Sequence, residues 1–307
     1  MRHLFLINPT AGKGNRPDDI AGAVHEVMLG REGSYDIRVT ERKGHAEALV
    51  RQAAQESGEP LRIYAFGGDG TLNEVVNGAA GFDHAAITVS PAGSGNDFLK
   101  IFTTGAHRFR SLEALVEGRV VPFDLIECNG RLALNIASVG LDARVGVGVE
   151  QFKHLPLVSG PMAYILSLGA NVVKGIAEPY TVELDGETLK GEFTLLAVCN
   201  GRYYGGGFCP VPEAMPDDGL LDFVLVKKVS RLRVAQLVWQ YANGYGRHYP
   251  GLIRMARGRE MSVRCDWPMM AQLDGEELRS NSLSFRLCAK KIGFICPDGV
   301  DWKPKRV

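Results

Sequence analysis

Residues 1–125 alternate regularly between two kinds of segment. Short apolar runs, among them HLFLIN, LRIYAF and AAITVS, are separated by segments whose apolar residues recur every three or four positions. This order predicts a βαβαβαβα unit, because parallel strands need a crossover connection that is usually a helix. We therefore predict an α/β N-terminal domain with a mostly parallel sheet and helices on both faces.

The pattern changes over residues 126–292, where apolar runs follow one another closely and Gly, Pro and Asp-Gly turns separate them. The stretch YTVELDGETLKGEFTLLAVCN alternates apolar and polar residues around Asp185-Gly186, which predicts an antiparallel hairpin. One helical pattern interrupts the strands, with Ser230 as its N-cap and Gly244 at its end. These features predict an antiparallel, β-rich and sandwich-like C-terminal domain.

The 307 residues are enough for these two domains, and the composition argues against several classes of protein. Lys plus Arg and Asp plus Glu number 35 each, so a nucleic-acid binder held by bulk charge is not expected. None of the six cysteines forms a CxxC pair, which favours reduced core thiols in a cytoplasmic protein. No apolar run approaches the ~18 residues of a transmembrane helix, and the short N-terminal run fits a first strand better than a signal peptide.

Three glycine-rich loops follow strands of the predicted parallel sheet. They are NPTAGKGN after the first run, FGGDGT after LRIYAF and SPAGSGNDF after AAITVS. Parallel sheets bind ligands at the carboxyl ends of their strands, and the N–H groups at a helix start attract phosphate oxygens. A single loop of this kind is often only a turn, and the first one lacks the Walker spacing. Three at one sheet edge nevertheless predict a nucleotide phosphate site.

Four motifs extend this interpretation to the whole chain. GGDGTLNEVVNG, PAGSGNDF, PDDGLLD and a second LDGE, in this order, resemble the catalytic domain of the diacylglycerol kinase family. This family includes bacterial lipid kinases and sphingosine kinases, and its GGDGT element is shared with NAD kinases and phosphofructokinases. The resemblance implies a nucleotide-binding domain over residues 1–125, to which residues 293–307 return, and a lipid-substrate domain over residues 126–292.

The resemblance also implies which residues bind ATP. The nucleotide would lie against the loop after the first strand, the end of the second strand and the GGDGT turn. The residues carried over are Asn8, Pro9, Thr10, Ala11, Gly12, Thr40, Gly67, Gly68, Asp69, Gly70, Thr71, Leu72, Asn73 and Ser94, where the family usually has Thr. Asn96 and Asp97 of the third loop join this set. Ionised Asp69 and Asp97 only accept hydrogen bonds, so they would reach phosphate through Mg²⁺ or ordered water.

The loop MPDDGLLDF resembles the structural magnesium loop of the same family. By position, the Asp218 side chain and the main-chain carbonyls of Met215 and Leu220 would bind the ion. The same residues also fit a plain turn with Asp217, Asp218 and Gly219 at its tip. The sequence alone does not distinguish a magnesium loop from such a turn. ATP and Mg²⁺ are the expected cofactors.

The tetrapeptide LDGE occurs twice, at Leu184–Glu187 and at Leu273–Glu276. The first copy lies in the predicted hairpin, where an Asp-Gly turn accounts for it. The resemblance assigns the second copy to catalysis, with Glu276 as the general base for the acceptor hydroxyl. Asp274 on the same turn is a rival for that role, and Asp69 is included among the catalytic residues because it would act on the phosphates through Mg²⁺.

The acceptor is expected in the β-rich domain. Cations outnumber acidic residues between Lys227 and Arg264, and Trp239 and three tyrosines lie among them. This pattern favours docking on an anionic membrane surface, although acidic partners elsewhere in the fold would explain it equally well. Asp142 is a candidate contact for a polar lipid head group.

These observations predict a cytoplasmic kinase that associates peripherally with the inner face of the membrane, without nucleic acid and with a homodimer as one option. It would transfer the γ-phosphate of ATP to a lipid hydroxyl, with diacylglycerol, giving phosphatidic acid, as the first choice. A sphingoid base or another amphiphile is the alternative lipid. A kinase of a soluble acceptor, like the NAD kinases, and a nucleotide-binding regulator without catalysis are the remaining alternatives.

Overall fold

The computed structural model describes residues 1–12, 16–93, 95–153, 158 and 160–304. The chain divides into two compact units, Met1–Phe123 with Ala289–Val307 and Asp124–Cys288. The first unit is an α/β unit with a mostly parallel sheet, and the second is antiparallel and β-rich. The predicted fold class is therefore confirmed.

The elements of the first unit follow the predicted alternation. Its strands are β1 (Arg2–Ile7), β2 (Ser34–Val39), β3 (Leu61–Gly67), β4 (Ala85–Pro91), β5 (Arg119–Phe123) and β15 (Ile292–Cys296). Its helices are α1 (Pro17–Met28), α2 (His45–Glu56), α3 (Asp69–Ala79) and α4 (Leu112–Glu117), with 3-10 helices at Phe98–Ile101 and Ala106–Arg110. The six strands form one sheet in the order β2-β1-β3-β4-β15-β5.

The path of the chain through this sheet creates a ligand-binding edge. Strands β1, β2, β3, β4 and β15 run parallel, and β5 pairs antiparallel with β15. The chain passes from β1 to β2 on one side and then crosses to β3 on the other side of β1. Open α/β sheets bind ligands at the carboxyl ends of the strands where the order reverses in this way. The loops after β1 and β3, which are the first two glycine-rich loops, flank this point.

Burial explains why the strands of this sheet are so apolar. Five of the six residues of β1 and six of the seven residues of β3 are buried, whereas the edge strand β2 has no buried residue. Strands that helices cover on both faces are near-continuous apolar runs. Helix α3 is also buried over most of its length. The start of α3, which carries the GGDGT motif, is therefore held firmly against the sheet.

Protonation of His3 should destabilise the first unit in acid. His3 lies on β1 with 4% of its surface exposed, and its Nδ1 is 3.0 Å from the Tyr64 hydroxyl. Burial, with a smaller contribution from Arg62, lowers the pKa of His3 from 6.5 to about 4. The unfolded chain then binds more protons than the folded chain over this interval, so stability is full above ~6.5 and falls by roughly 3 kcal/mol as the pH drops to ~4.

We expect His3→Phe to flatten this loss of stability, because the substitution removes the titrating group from the core. The measurement is urea unfolding across this pH interval, compared as a slope of the unfolding free energy against pH. His25→Gln is the matched control, since His25 is exposed on the same unit. An unchanged slope in His3→Phe would show that other groups cause the acid sensitivity.

The second unit consists mainly of antiparallel strands. They are β6 (Ile126–Cys128), β7 (Arg131–Ala133), β8 (Ile136–Gly140), β9 (Glu178–Leu184), β10 (Glu187–Cys199), β11 (Leu221–Lys227), β12 (Ile253–Gly258), β13 (Glu260–Leu273) and β14 (Glu276–Leu287). Its helices are α5 (Leu141–Gly148), α6 (Glu150–Lys153), α7 (Gly160–Lys174) and α8 (Arg231–Ala242), with a 3-10 helix at Tyr245–His248.

Two long strands give this unit its sandwich character. Both β10 and β13 pair with β8 over one part of their length and with β9 over another. The register of β10 shifts between Phe193 and Leu195, and that of β13 shifts between Arg264 and Met269. Irregularities of this kind let a strand bend from one layer to the next. The apolar side chains of both layers, such as Val182 and Phe223, then meet in one core.

The second unit contains the predicted helix after Ser230 and further helices that the sequence pattern did not predict. Helix α8 begins after Ser230, whose Oγ accepts a hydrogen bond from the Arg233 N–H at 3.2 Å, as predicted for its cap. Helices α5 and α7 were not expected, because Gly146 and Gly169 lie within them and their apolar residues are not confined to one side. Among the described residues, none of the helices combines the length and the apolar character that spanning a bilayer requires.

Candidate active site

The three glycine-rich loops of the first unit meet at the edge of the sheet. A Cβ placed on Gly12 would lie 2.0 Å from the main-chain oxygen of Ala92, and one on Gly93 would lie 2.7 Å from the Cα of Gly68. Only glycine permits so close an approach. The Ala92 N–H also donates to the Gly67 carbonyl at 2.9 Å. The loops after β1, β3 and β4 therefore form one surface made largely of main chain.

Asn8 joins the first loop to the second. Its Nδ2 donates to Thr71 Oγ1 at 2.9 Å, and its Oδ1 accepts hydrogen bonds from the N–H and the hydroxyl of Thr10, at 3.0 and 2.8 Å. Thr71 is buried in the first turn of α3. The two loops on either side of the strand reversal are thus coupled through side chains that the sequence placed in the nucleotide set.

Asp69 and Asp97 are coupled through the main chain. Asp69, the first residue of α3, accepts a hydrogen bond from the Asp97 N–H at 2.7 Å. Its other carboxylate oxygen would lie 2.5 Å from a Cβ on Gly95, so this position also requires glycine. The Asp97 carboxylate accepts a hydrogen bond from Lys100 Nζ, which balances its charge. Asn96, with a φ of 47°, donates to the Gly93 carbonyl at 2.6 Å.

This arrangement can hold a polyphosphate. The glycine turns let the main chain approach an anion closely, and the start of α3 directs N–H groups and the positive end of its dipole outward. The exposed Pro9 and Thr10 leave the loop after β1 accessible. Asp69 would repel phosphate directly, so this residue would instead hold a Mg²⁺ ion, and such an ion would supply charge neutralisation for the phosphates.

Other predicted nucleotide residues have different surroundings. Thr40 follows β2, and its N–H donates to the last carbonyl of β1 at 2.8 Å, which brings it beside the first loop. Leu72 and Asn73 are buried in α3, at 5% and 2% exposure. These two side chains are suited to fixing the helix start rather than to touching a ligand. Ser94 lies outside the described residues.

Both copies of LDGE are hairpin turns in the second unit. Asp185 and Asp274 have φ values of 49° and 52°, and the glycines that follow them have 80° and 93°. The first turn joins β9 to β10 and the second joins β13 to β14. Positive φ at both central positions is the type I′ geometry for which Asp-Gly is preferred. The shape of the backbone does not distinguish the copies, but their side-chain partners do.

The glutamate of the first copy is neutralised at the surface. Both oxygens of Glu187 accept hydrogen bonds from Arg254, at 2.9 and 2.7 Å. These bonds lower the pKa of Glu187. A carboxylate paired in this way is a weak proton acceptor. The first copy therefore has the features of a structural turn.

The aspartate of the second copy holds the main chain before β8. Asp274 Oδ2 accepts a hydrogen bond from the Leu134 N–H at 2.7 Å, and Oδ1 accepts from the N–H groups of Asn135 and Ile136 at 3.1 and 2.8 Å. The Asp274 N–H donates to the Ile136 carbonyl at 3.0 Å. Three main-chain donors on one carboxylate leave it little capacity to take a further proton.

A second brace supports the same turn. Gln272 Oε1 accepts a hydrogen bond from the Gly275 N–H at 2.7 Å, and Gln272 Nε2 donates to Ser138 Oγ at 3.0 Å. Both side chains are buried. Glu276 is the first residue of β14, is paired with Leu273 and is half-buried. The sequence did not reveal Gln272 or Ser138, because their bond connects residues that are far apart in the chain.

An apolar pocket, partly open to solvent, lies within the second unit. Helices α5, α7 and α8 and strands β10, β11 and β12 line it. Most of the lining is aliphatic, including Leu168, Leu195, Val226, Val234, Leu237 and Val238. The pocket is therefore suited to a hydrocarbon ligand.

Three polar residues are connected inside this pocket. The Tyr204 hydroxyl donates to Asp142 Oδ1 at 2.9 Å and lies 3.2 Å from the Tyr241 hydroxyl. Asp142 is only 5% exposed. Burial raises the pKa of Tyr241 well above its usual value, so its hydroxyl stays protonated. Asp142 was a predicted head-group contact, whereas no motif pointed to Tyr204 or Tyr241.

Arg257 already contacts the predicted metal ligand. Asp218 Oδ1 accepts a hydrogen bond from the Leu220 N–H at 3.1 Å, and Oδ2 contacts the Arg257 guanidinium, which also lies 3.1 Å from Asp222. Burial raises the pKa of Asp222 to about 6. Among the described residues, no group of three or more His, Cys, Asp or Glu is placed to hold a metal. A cation bound by Asp218 and the carbonyls of Met215 and Leu220 would have to compete with Arg257.

Ion pairs account for much of the basic stretch between Lys227 and Arg264. Five of its nine cations have a carboxylate partner. The pairs are Lys228–Glu192, Arg247–Glu213, Arg254–Glu187, Arg257–Asp218 and Arg264–Glu183. The sequence left two explanations of the basic stretch open, and for these five cations the explanation by acidic partners elsewhere in the fold is the correct one. Their positive charge is largely cancelled locally.

Comparison with known proteins gives matches along nearly the whole chain. Residues 2–128 match the family model of the diacylglycerol kinase catalytic domain, and residues 135–296 match that of the YegS C-terminal NAD kinase beta sandwich-like domain. A Pseudomonas aeruginosa protein named "Probable lipid kinase YegS-like" is 31% identical over 290 residues, covering 94% of this chain and 93% of that protein.

Solved structures share the architecture. Two structures from Bacillus anthracis superpose with TM-scores of 0.74 and 0.71, and each comparison covers 97% of both chains. Their sequences are 22% and 20% identical to this one, and the second is described as a diacylglycerol kinase. At this level of identity the likeness shows that the fold is the same.

Proposed function

The chain belongs to the lipid kinase family that joins a diacylglycerol kinase catalytic domain to a YegS C-terminal NAD kinase beta sandwich-like domain, and on this basis we propose that it converts diacylglycerol to phosphatidic acid. As a lipid kinase of this family, the protein is a phosphotransferase that uses ATP.

The apolar pocket of the second unit carries the proposal of a diacylglycerol acceptor. Its aliphatic lining suits acyl chains. The linked Asp142, Tyr204 and Tyr241 offer hydrogen bonds to the glycerol and ester oxygens of such a lipid. A soluble acceptor such as a dinucleotide carries charges that this lining would leave without partners, and burying them so would be costly.

One feature of the pocket also suits a sphingoid base. The buried Asp142 carboxylate would form an ion pair with the ammonium group of such a lipid. Diacylglycerol has no cation and would instead use the Tyr204 and Tyr241 hydroxyls. The two lipids therefore differ in how strongly they should depend on the charge of Asp142.

We assign nucleotide binding to the surface formed by the loops after β1, β3 and β4. Asn8 and Thr71 hold two of the loops together, and the main-chain N–H groups near Gly68 would bind phosphate oxygens. Asp69 and Asp97 would position a Mg²⁺ ion, which supplies charge neutralisation when bound. Lys100 keeps the Asp97 side chain in place.

We propose Glu276 as the general base for the acceptor hydroxyl. Asp274, with its oxygens bound to three main-chain N–H groups, acts as a positioning residue that fixes the turn. Gln272 braces the same turn from the other side. Glu276 then extends from a rigid support, which is what a base needs to meet a hydroxyl at the correct distance.

Two further assignments concern the surroundings of the reaction. Asp218, with the Met215 and Leu220 carbonyls, remains the candidate structural cation site, and binding there would leave Arg257 paired with Asp222. We also propose that the enzyme meets its lipid as a peripheral protein at the cytoplasmic face of the membrane.

Narrowing the pocket should impair the use of long-chain lipid. We expect Val238→Phe to raise KM for dioleoylglycerol by about tenfold and to affect dioctanoylglycerol less, because Val238 lines the pocket on α8. The measurement is ATP-dependent labelling in mixed micelles that offer diacylglycerol, sphingosine or no lipid. Val120→Phe is the control, since Val120 is an exposed valine of the first unit.

The same assay separates the alternatives. If wild type labelled sphingosine but not diacylglycerol, and Asp142→Asn no longer labelled sphingosine, the acceptor would be a sphingoid base. Phosphorylation of NAD without lipid labelling would favour a soluble acceptor, and ATP binding without any turnover would favour a regulator. Equal KM effects on both diacylglycerols would show that the chains do not occupy this pocket.

A further inference from the structure

Two helices of the second unit expose apolar side chains on one face each. On α7 these are Met162, Ile165, Leu166 and Val173, at 48%, 58%, 38% and 75% exposure, and on α8 they are Leu232 and Trp239, at 71% and 70%. Their spacing of three, four or seven residues puts the members of each set on the same side of a helix. We refer to these six residues as the α7–α8 apolar face.

The opposite sides of the same helices already form the core. On α7, Ala163, Ser167 and Asn171 are buried and Leu168 lines the lipid pocket. On α8, Val234, Leu237, Val238 and Tyr241 line that pocket. The exposed apolar side chains are therefore not needed to fill the interior. Each helix has one apolar side toward the pocket and a second one toward solvent, which is unusual for a soluble helix.

The charges on these helices are of one sign. Neither α7 nor α8 contains Asp or Glu, whereas Arg231 and Arg233 are exposed in the first turn of α8. Cations at a helix start oppose the helix dipole and so need another source of stabilisation. Among the described residues, neither arginine has a carboxylate within ion-pair distance, in contrast to the five paired cations of the neighbouring strands and loops.

The two helices are connected at their basic end. Arg231 Nε and an Nη donate to the carbonyls of Val172 and Val173 near the end of α7, at 3.0 and 3.1 Å. The exposed Val173 and the exposed Leu232 are thereby held near the same pair of cations. Apolar side chains, an exposed Trp and nearby cations without acidic residues are the combination that binds at the interface of an anionic bilayer.

We propose that the α7–α8 apolar face docks the protein on an anionic lipid bilayer, with its side chains among the acyl chains and Arg233 at the head groups. This inference rests on the proposed function in one respect, namely that the apolar pocket receives the lipid acceptor. The docked helices would then form the wall between the bilayer and that pocket. A lipid leaving the bilayer would then reach the pocket without crossing water. The docking depends mainly on the apolar face and less on the basic stretch as a whole.

Vesicle binding tests the proposal without ATP or turnover. Wild type should sediment with vesicles of phosphatidylcholine and phosphatidylglycerol, and Ile165→Gln/Trp239→Gln should lower the partition coefficient by about tenfold or more. The matched control is Leu29→Gln/Val120→Gln, which removes two exposed apolar side chains from the first unit and should bind as wild type does. Vesicles of phosphatidylcholine alone should bind all proteins more weakly.

A second measurement reports how deeply Trp239 enters the bilayer. Brominated lipid should quench the fluorescence of Trp239 in docked protein, and Trp239→Phe should keep vesicle binding but lose this quenching. Equal vesicle binding by wild type and Ile165→Gln/Trp239→Gln would overturn the proposal. So would a wild-type dimer that the double substitution makes monomeric and that does not bind vesicles, because the face would then be covered by a second copy. Docking without lipid phosphorylation would refute the proposed function alone.

Discussion

Glu276→Gln should reduce phosphorylation of the lipid acceptor by about 10²–10⁴-fold, because glutamine cannot take the proton of the attacking hydroxyl. The side chain keeps nearly the same size at the start of β14, and the turn before it stays braced by Asp274 and Gln272. We therefore expect the loss in kcat, with little change in KM for ATP. The measurement is the initial rate of lipid labelling in mixed micelles.

Glu187→Gln is the matched control for this loss. It changes the same residue of the same tetrapeptide on a turn of the same geometry, but its carboxylate is bound to Arg254. Its activity should stay near that of wild type. If Glu187→Gln were inactive and Glu276→Gln active, the roles of the two copies would be reversed. If both were active, Glu276 would not be the base.

The two LDGE copies show what the sequence could and could not reveal. Each copy contains the residues of an Asp-Gly turn, and each forms that turn. The local sequence therefore predicts the backbone conformation correctly in both copies. What differs is the partner of each carboxylate. Asp274 bonds to main chain more than a hundred residues earlier, and Glu187 bonds to Arg254 on another strand. The hydrogen-bond partners of these carboxylates depend on the order of the strands in the sheet, which the local sequence does not determine.

The first unit was easier to predict, for a physical reason. Its candidate residues sit in loops directly after strands, and the parallel arrangement sends all those loops to one edge. The strand order itself was not evident, although it determines that the loops after β1 and β3 are neighbours. The approach of Gly12 to Ala92 is a result of that order, and only the structure explains why glycine is required there.

The second unit departed further from its sequence pattern. The basic stretch fitted a membrane surface and acidic partners elsewhere in the fold equally well, and the ion pairs of Arg264 with Glu183 and of Arg254 with Glu187 bear out the second reading for these two arginines. The helix α7 gave no clear period because it is apolar on two sides. That same property identified it as a candidate docking element once the pocket side and the exposed side could be distinguished.

Asp274→Asn should loosen the main chain before β8 and lower the stability of the second unit by about 3 kcal/mol, because main-chain donors lose their acceptor. Asparagine tolerates the positive φ of this position, so the turn itself should survive. One of the two oxygens becomes an NH₂ group, which faces main-chain donors and leaves at least one of them without an acceptor in a half-buried site. The measurement is amide hydrogen exchange over residues 134–136 together with urea unfolding.

Asp185→Asn provides the comparison, because the residue and the turn type are the same, the φ is similar, and the hydrogen bonds to the main chain before β8 are made by Asp274. It should change stability by less than about 0.5 kcal/mol. Asp274→Asn should also lower kcat, since Glu276 loses its rigid support. If Asp274→Asn instead abolished activity while leaving the exchange of residues 134–136 and the unfolding unchanged, Asp274 would be the base. A positioning residue must move the structure that it positions, whereas a base need not.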